Sequence, residues 1–166
     1  PHGMFSAPTA LTAPSHAMLD FLRGLDLGES NSIARKAQRI ASAVHGHMDY
    51  APGSTSVATT AAQAFELGRG VCQDYAHITL ALMREAGIPA RYVCGFIPGE
   101  GATHAWVEWF GSDSWFALDP THDRAVEYGF IKLAHGRDSA DCPVNRGIFT
   151  GRVQQSNSVS IKVEEI

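Results

Sequence analysis

The chain is expected to fold as an α+β protein, with helices first and an antiparallel β-sheet after them. Three observations predict this. Between Ser15 and Ala86, apolar residues recur at helical spacing. After Gly87-Ile88-Pro89, a helix stop, the texture changes to short runs rich in β-branched and aromatic residues. Between two of those runs, Gly111-Ser112-Asp113 reads as a hairpin turn, which makes its flanking strands antiparallel.

Residues 1–14 are rich in Pro, Ala and Thr and read as irregular. Ser15 to Leu25 reads as a short helix with Met18, Leu19 and Leu22 on one side. Asn31 or Ser32 caps the next helix, which carries Ile33, Ala37, Ile40, Ala41, Val44 and Met48 at helical spacing. Tyr50 to Val57 contains Pro52 and Gly53 and reads as a loop. Thr60 and Gln63 fit a capping box, and Gly68 fits the stop of the short helix it opens. From Cys72 to about Ala86, Ala76, Leu80, Met83 and Gly87 form one row, and Ile78, Ala81, Leu82 and Glu85 cover much of the rest. A helix apolar over so much of its circumference is buried. Strands are expected at Arg91–Ile97, His104–Phe110 and Ser114–Leu118, with weaker ones at Ile131–Ala134, Gly147–Thr150 and Ser158–Glu165. No repeat, low-complexity tract or linker interrupts the chain, so a single domain over 1–166 is expected.

The length of 166 residues suffices for one domain with a real core. A net charge of −4 leaves no basic footprint for nucleic acid. No apolar run approaches the roughly 20 residues that span a bilayer. The opening Pro1-His2-Gly3-Met4 lacks the charged and apolar regions of a signal peptide, and reads as the start of a fragment. The three cysteines, Cys72, Cys94 and Cys142, are odd in number and widely spaced, which argues against a disulfide framework and a zinc knuckle. Free thiols suit a reducing compartment, so a cytoplasmic location is expected.

The chemistry concentrates on three residues. Cys72 sits in Gly68-Arg69-Gly70-Val71-Cys72-Gln73-Asp74-Tyr75-Ala76-His77, where a glycine-rich loop meets the buried helix. Unpaired N–H groups at a helix start, and a neighbouring imidazolium, both favour the thiolate. The same N–H groups can hold an oxyanion. Alternation places His104, Trp106 and Glu108 on one strand face, and the hairpin brings Asp119 roughly opposite His104. A thiol, an imidazole to take its proton and a carboxylate to orient that imidazole are the parts of a nucleophilic system.

Other assignments compete. A lone cysteine is commonly a small core hydrophobe; Cys94 is read so, and Cys142 as a loop thiol. His122 and Asp123 are rivals of His104 and Asp119. His77 points away from the sulfur and is read as structural, and His45 and His47 as surface residues. A zinc site from Cys72, His77, His104 and His122 lacks paired ligand spacing. Gln73 divides between oxyanion contact and capping or packing, while Asp74 suits a helix start. Of Trp106, Trp109 and Trp115, one or two belong to the core, and Trp106 is a candidate wall of a substrate cleft. Arg137, Asp138 and Asp141 read as a salt-bridged loop.

Four segments together resemble the bacterial transglutaminase-like superfamily of candidate cysteine proteases: Gly70-Val71-Cys72-Gln73-Asp74-Tyr75-Ala76-His77, Gly87-Ile88-Pro89-Ala90-Arg91-Tyr92-Val93, His104-Ala105-Trp106-Val107-Glu108 and Leu118-Asp119-Pro120-Thr121. Gly136-Arg137-Asp138 and Arg146-Gly147-Ile148-Phe149-Thr150-Gly151 also look like that family, so the resemblance runs from about Tyr50 to Gly151. It implies a papain-like core, with Cys72 as nucleophile, His104 as general base and Asp119 as its orienter. Family members often carry a further N-terminal β-rich domain, so the chain is expected to be a fragment lacking it. Calcium dependence belongs to the animal enzymes, and no acidic loop here asks for it.

The expected function is thiol-dependent hydrolysis of peptide or amide bonds through a thioester, with Trp106 and Gln73 against the substrate. Acyl transfer to an amine, as in a transglutaminase, is the first alternative. A non-catalytic peptide-binding module of the same fold is the second. A peptide or protein substrate is the expected partner, with no metal, cofactor, nucleic acid or membrane.

Overall fold

A computed structural model of the protein describes residues 3–28, 32–98 and 103–143. Four helices form in its first half: α1 (His16–Gly24), α2 (Ile33–His47), α3 (Ala61–Leu67) and α4 (Cys72–Glu85). Each of the first three begins on a hydroxyl that accepts from a backbone N–H three residues on: Ser15 from Met18, Ser32 from Arg35 and Thr60 from Gln63. Thr60 N–H donates in return to Gln63 Oε1 at 3.0 Å, which completes the expected capping box. Gly68 ends α3 in the left-handed conformation, with φ 62°.

α4 is the axis of the fold. Every residue from Asp74 to Arg84 is buried, because the helices pack on one side and the sheet on the other. On the helical side, Ala37, Ile40, Ala41 and Val44 of α2 face the core as their spacing predicts. Ile33, from the same row, is instead 47% exposed at the open end of its helix.

The described residues form seven strands: β1 (Asp49–Tyr50), β2 (Arg69–Gly70), β3 (Ala90–Phe96), β4 (His104–Gly111), β5 (Ser114–Asp119), β6 (Arg124–Ala125) and β7 (Ile131–Gly136). The last five form one sheet, in the order β6-β5-β4-β3-β7, with every pairing antiparallel. The β4–β5 turn is tighter than expected. Gly111 still pairs with Ser114, leaving Ser112 (φ 49°) and Asp113 (φ 60°) as a two-residue loop. Tyr50 starts no loop, because Asp49 and Tyr50 pair in parallel with Arg69 and Gly70. The weak strand expected at 131–134 is present. Those expected at 147–150 and 158–165, and the alternative cap Asn31, lie outside the described residues. No helix among the described residues is long and apolar enough to cross a membrane.

Arg84, near the end of α4, ties these layers to the N-terminal segment. Its buried guanidinium donates to the carbonyls of Phe5, Ala90 and Arg137 and to Thr12 Oγ1. Removing it orphans several buried acceptors at once. Arg84→Ala is expected to lower unfolding stability by about 3 kcal/mol in urea melts. A loss under about 1 kcal/mol would refute this role.

Candidate active site

The sulfur of Cys72 is presented by a loop that is built from both sides. β2 is clamped by Asp49 N–H on Gly68 O (2.8 Å) and Ala51 N–H on Gly70 O (2.9 Å). The chain then turns into α4 with Val71 extended. Asp74, in the first turn, reaches back, and its Oδ2 accepts from Val71 N–H at 2.8 Å and from Thr55 Oγ1 at 2.6 Å. Burial raises the Asp74 pKa, and these two bonds oppose that rise. A side chain at Gly70 has no room, since a Cβ there would stand 2.5 Å from Asp74 Oδ2 and 2.7 Å from Asp74 Cβ. Asp74 is held by both bonds and cannot step aside. Gly70→Ala is therefore expected to cost about 1–3 kcal/mol of stability and to slow Cys72 alkylation. Wild-type behaviour in both assays would show that the loop yields freely.

Cys72 is half-buried and faces a cavity of about 790 Å³ that His104, Gln73, Leu11, Tyr50 and Tyr92 also line. The ring of His104 is buried, with Nε2 at 2.9 Å from Asp119 Oδ2, and it is hydrogen-bonded to Cys72 as well. Burial alone would lower the His104 pKa. The bonds to Asp119 and Cys72 outweigh it and carry the value from 6.5 up to about 9. Asp119 is fully buried, yet its pKa is lowered, because the bonds to His104 and His122 overcome burial. Thiol, imidazole and carboxylate are thus linked in series beside a cavity.

This linkage forms by a route slightly different from the expected one. Val107 pairs with Leu118, so continuing the ladder sets Trp106 against Asp119 and His104 on the diagonal. The shift is two residues, which keeps both side chains on the same face and within reach.

His122 does not displace His104. Its Nδ1 lies 2.7 Å from the same Asp119 Oδ2, beside the first ring. Asp123 is turned to α2, where its Oδ1 accepts from Ser42 Oγ. Trp106 does not wall the cavity. It is 1% exposed, stacks on His104 with centroids 6.3 Å apart, and packs edge-to-face with Phe130, which meets His104 as well. Its contribution is support for the imidazole. Gln73 does line the cavity next to Cys72.

Cys94 packs in the core as expected, Cys142, expected as a loop thiol, is buried, and both also line the cavity. Burial raises the Cys94 pKa and pushes the Cys142 thiol up to about 12. His77 is structural: Ser139 N–H donates to its Nε2 at 3.2 Å, and burial pulls its pKa down to about 4. His45 is exposed, as expected. His47 is half-buried instead, stacked on Phe65 with centroids 4.0 Å apart. Arg137 and Asp141 make the expected bridge. His104, Asp119 and His122 each offer a metal-ligand atom, all within 4.8 Å of one another. Asp119 Oδ2 is already engaged by both rings, so a cation there has to displace two N–H donors and draw His104 from the thiol.

Sequence reasoning did not find the brace from Thr55 to Asp74, nor the sharing of Asp119 between two histidines. The second has a signal, since a histidine three residues after a carboxylate across a proline turn can fold back onto it.

Residues 20–120 match the Transglutaminase-like superfamily. An uncharacterized Mycobacterium leprae protein is 36% identical over 130 residues, covering 72% of this chain and 46% of its own length. The chain thus spans about half the length of the curated relatives it matches. The Protein-glutamine gamma-glutamyltransferase of Pseudomonas aeruginosa is 37% identical over 99 residues, 49% of this chain and 15% of that one. The crystal structure of a candidate cysteine protease from Cytophaga hutchinsonii aligns with a TM-score of 0.74 and 27% identity, over 94% of this chain and 60% of the other. With its mixed core and antiparallel sheet, the chain belongs to the transglutaminase-like superfamily.

Proposed function

We propose that the protein is a thiol-dependent hydrolase of peptide or amide bonds, with Cys72 as nucleophile, His104 as general base and acid, and Asp119 as the group that orients His104. The observation that carries this reading is the buried His104 ring, bonded to Asp119 on one side and Cys72 on the other, at the wall of the cavity. His104 takes the thiol proton as Cys72 Sγ attacks the carbonyl carbon, and the developing oxyanion is met by N–H groups at the start of α4, with Gln73 adjacent. As the tetrahedral intermediate collapses, the C–N bond breaks and the amine leaves with a proton from His104. Water then attacks the thioester, His104 takes its proton, the C–S bond breaks, and a carboxylic acid departs as the thiol is restored. The thiol has to stay reduced for this cycle, which is the basis for proposing a reducing compartment.

Acyl transfer to an amine is the second reading, favoured by the likeness to the Pseudomonas aeruginosa enzyme. The two readings share the thioester and part at the acceptor. Water needs no site, whereas an amine needs a channel that excludes water, so hydrolysis is preferred. The test is mass spectrometry of products from glutamine-containing peptides and peptide amides, incubated with and without a primary amine. Free acid in both incubations supports the hydrolase. Amine adducts outcompeting water would replace it with the transferase, and no Cys72 acyl-enzyme with any substrate or acylating probe would refute both.

A further inference from the structure

We propose that His122 is a positioning residue for this reaction, its Nδ1–H holding the Asp119 carboxylate in the orientation that serves His104. The proposal rests on the assignment of Cys72, His104 and Asp119 made above.

A carboxylate that accepts from one imidazole alone can swing about its terminal torsion. Asp119 is denied that freedom. Its Oδ2 accepts from His104 at 2.9 Å and from His122 at 2.7 Å, and its Oδ1 accepts from Thr121 N–H at 3.1 Å. The oxygen that faces His104 therefore has its second acceptor direction filled by His122. An ionised carboxylate only accepts, so the hydrogen stands on Nδ1 of His122.

The turn that carries His122 is constructed to aim it. Asp119 and Arg124 pair across the β5–β6 hairpin and close the loop 120–123. α2 clips this loop on both flanks of His122. His45 Nδ1–H donates to Thr121 O at 3.1 Å, and Ser42 Oγ–H donates to Asp123 Oδ1 at 2.5 Å. Asp123 takes the left-handed conformation (φ 50°) that this path demands. Three interactions thus set the direction of a side chain that is itself 37% exposed and contributes little burial. His122 is not among the residues that line the cavity beside Cys72.

The test is the rate of Cys72 alkylation by iodoacetamide at about pH 6, in wild type, His104→Ala, His122→Ala and His122→Asn, with melting temperatures and, once a substrate is in hand, kcat and KM. An Asn side chain sets an N–H close to the place of the imidazole Nδ1–H, whereas Ala leaves the carboxylate oxygen with His104 and the longer ion pair to Arg124 Nε at 3.8 Å. His122→Ala is expected to slow alkylation and to lower kcat about tenfold with KM unchanged, the scale on which groups that orient a histidine act. His122→Asn is expected to recover to within about threefold of wild type. A packing role for the ring would give no such recovery. If His104→Ala slows alkylation but His122→Ala does not, or if Asn is no better than Ala, the positioning role is overturned and the assignment of His104 stands. If His104→Ala itself leaves alkylation unchanged, the underlying assignment fails as well.

Discussion

Cys72→Ala is expected to lower turnover of any peptide or amide substrate by about ten-thousand-fold or more, while the melting temperature hardly moves. The reason lies in what the other thiols can do. Cys94 packs from β3 against the core and Cys142 is buried, and burial raises the pKa of both thiols. Both line the same cavity as Cys72, but Cys72 is the thiol bonded to His104, so neither of the others is expected to take over. Cys72 itself is half-buried at the first position of α4, and the core of that helix begins two residues later at Asp74. Losing one sulfur there opens no large void, so the fold persists. The measurement is single-turnover kinetics beside a thermal melt. Turnover that survives the substitution would remove Cys72 as nucleophile, and a collapse of the melt would instead make it a structural residue.

The helical half of the fold was legible because its signals are local. Ser15, Ser32 and Thr60 cap their helices within three residues of themselves, and Gly68 stops α3 by its own backbone preference. Cys72, His104 and Asp119 were legible for a different reason. Strand alternation has a period of two, so the two-residue difference between the expected and the actual hairpin register left both side chains on one face. What stayed hidden depends on contacts distant in sequence. The pairing of Asp49–Tyr50 with Arg69–Gly70 is two residues long and parallel, too short for any periodicity to announce it. β6 is equally short. Alternation placed Trp106 with His104, but which side chain covers that face is decided by Phe130, which arrives from the loop before β7. Hence Trp106 became a support for the imidazole instead of a cavity wall. Asp74 read correctly as a helix-start acid, yet Thr55, nineteen residues earlier, makes it a brace for the nucleophile loop.

His104→Ala is expected to lower kcat nearly as far as Cys72→Ala, and Asp119→Ala to lower it less, by about a hundred- to ten-thousand-fold. Proton transfer passes through the imidazole, whereas the carboxylate sets its tautomer and steadies its charge. The pH dependence separates the two roles. In the folded protein the His104 value rises from 6.5 to about 9, so the imidazolium is favoured by folding. The stability it contributes is fully present below 6.5 and is lost as pH rises through about 9. Asp119 runs the opposite way. Its lowered pKa gives stability that is present above its ordinary value of 3.8 and is lost as pH falls through the folded value. The difference in melting temperature between wild type and His104→Ala should therefore shrink as pH rises through about 9. In Asp119→Ala the bond and the charge that hold the imidazolium are gone, so the alkaline edge of Cys72 alkylation attributable to His104 should move to lower pH. An edge unmoved by Asp119→Ala, together with an equal loss of kcat in the two variants, would mean that Asp119 does not tune His104. Both shifts together would show that one buried carboxylate, reached by the hairpin diagonal, sets the charge of the base that activates Cys72.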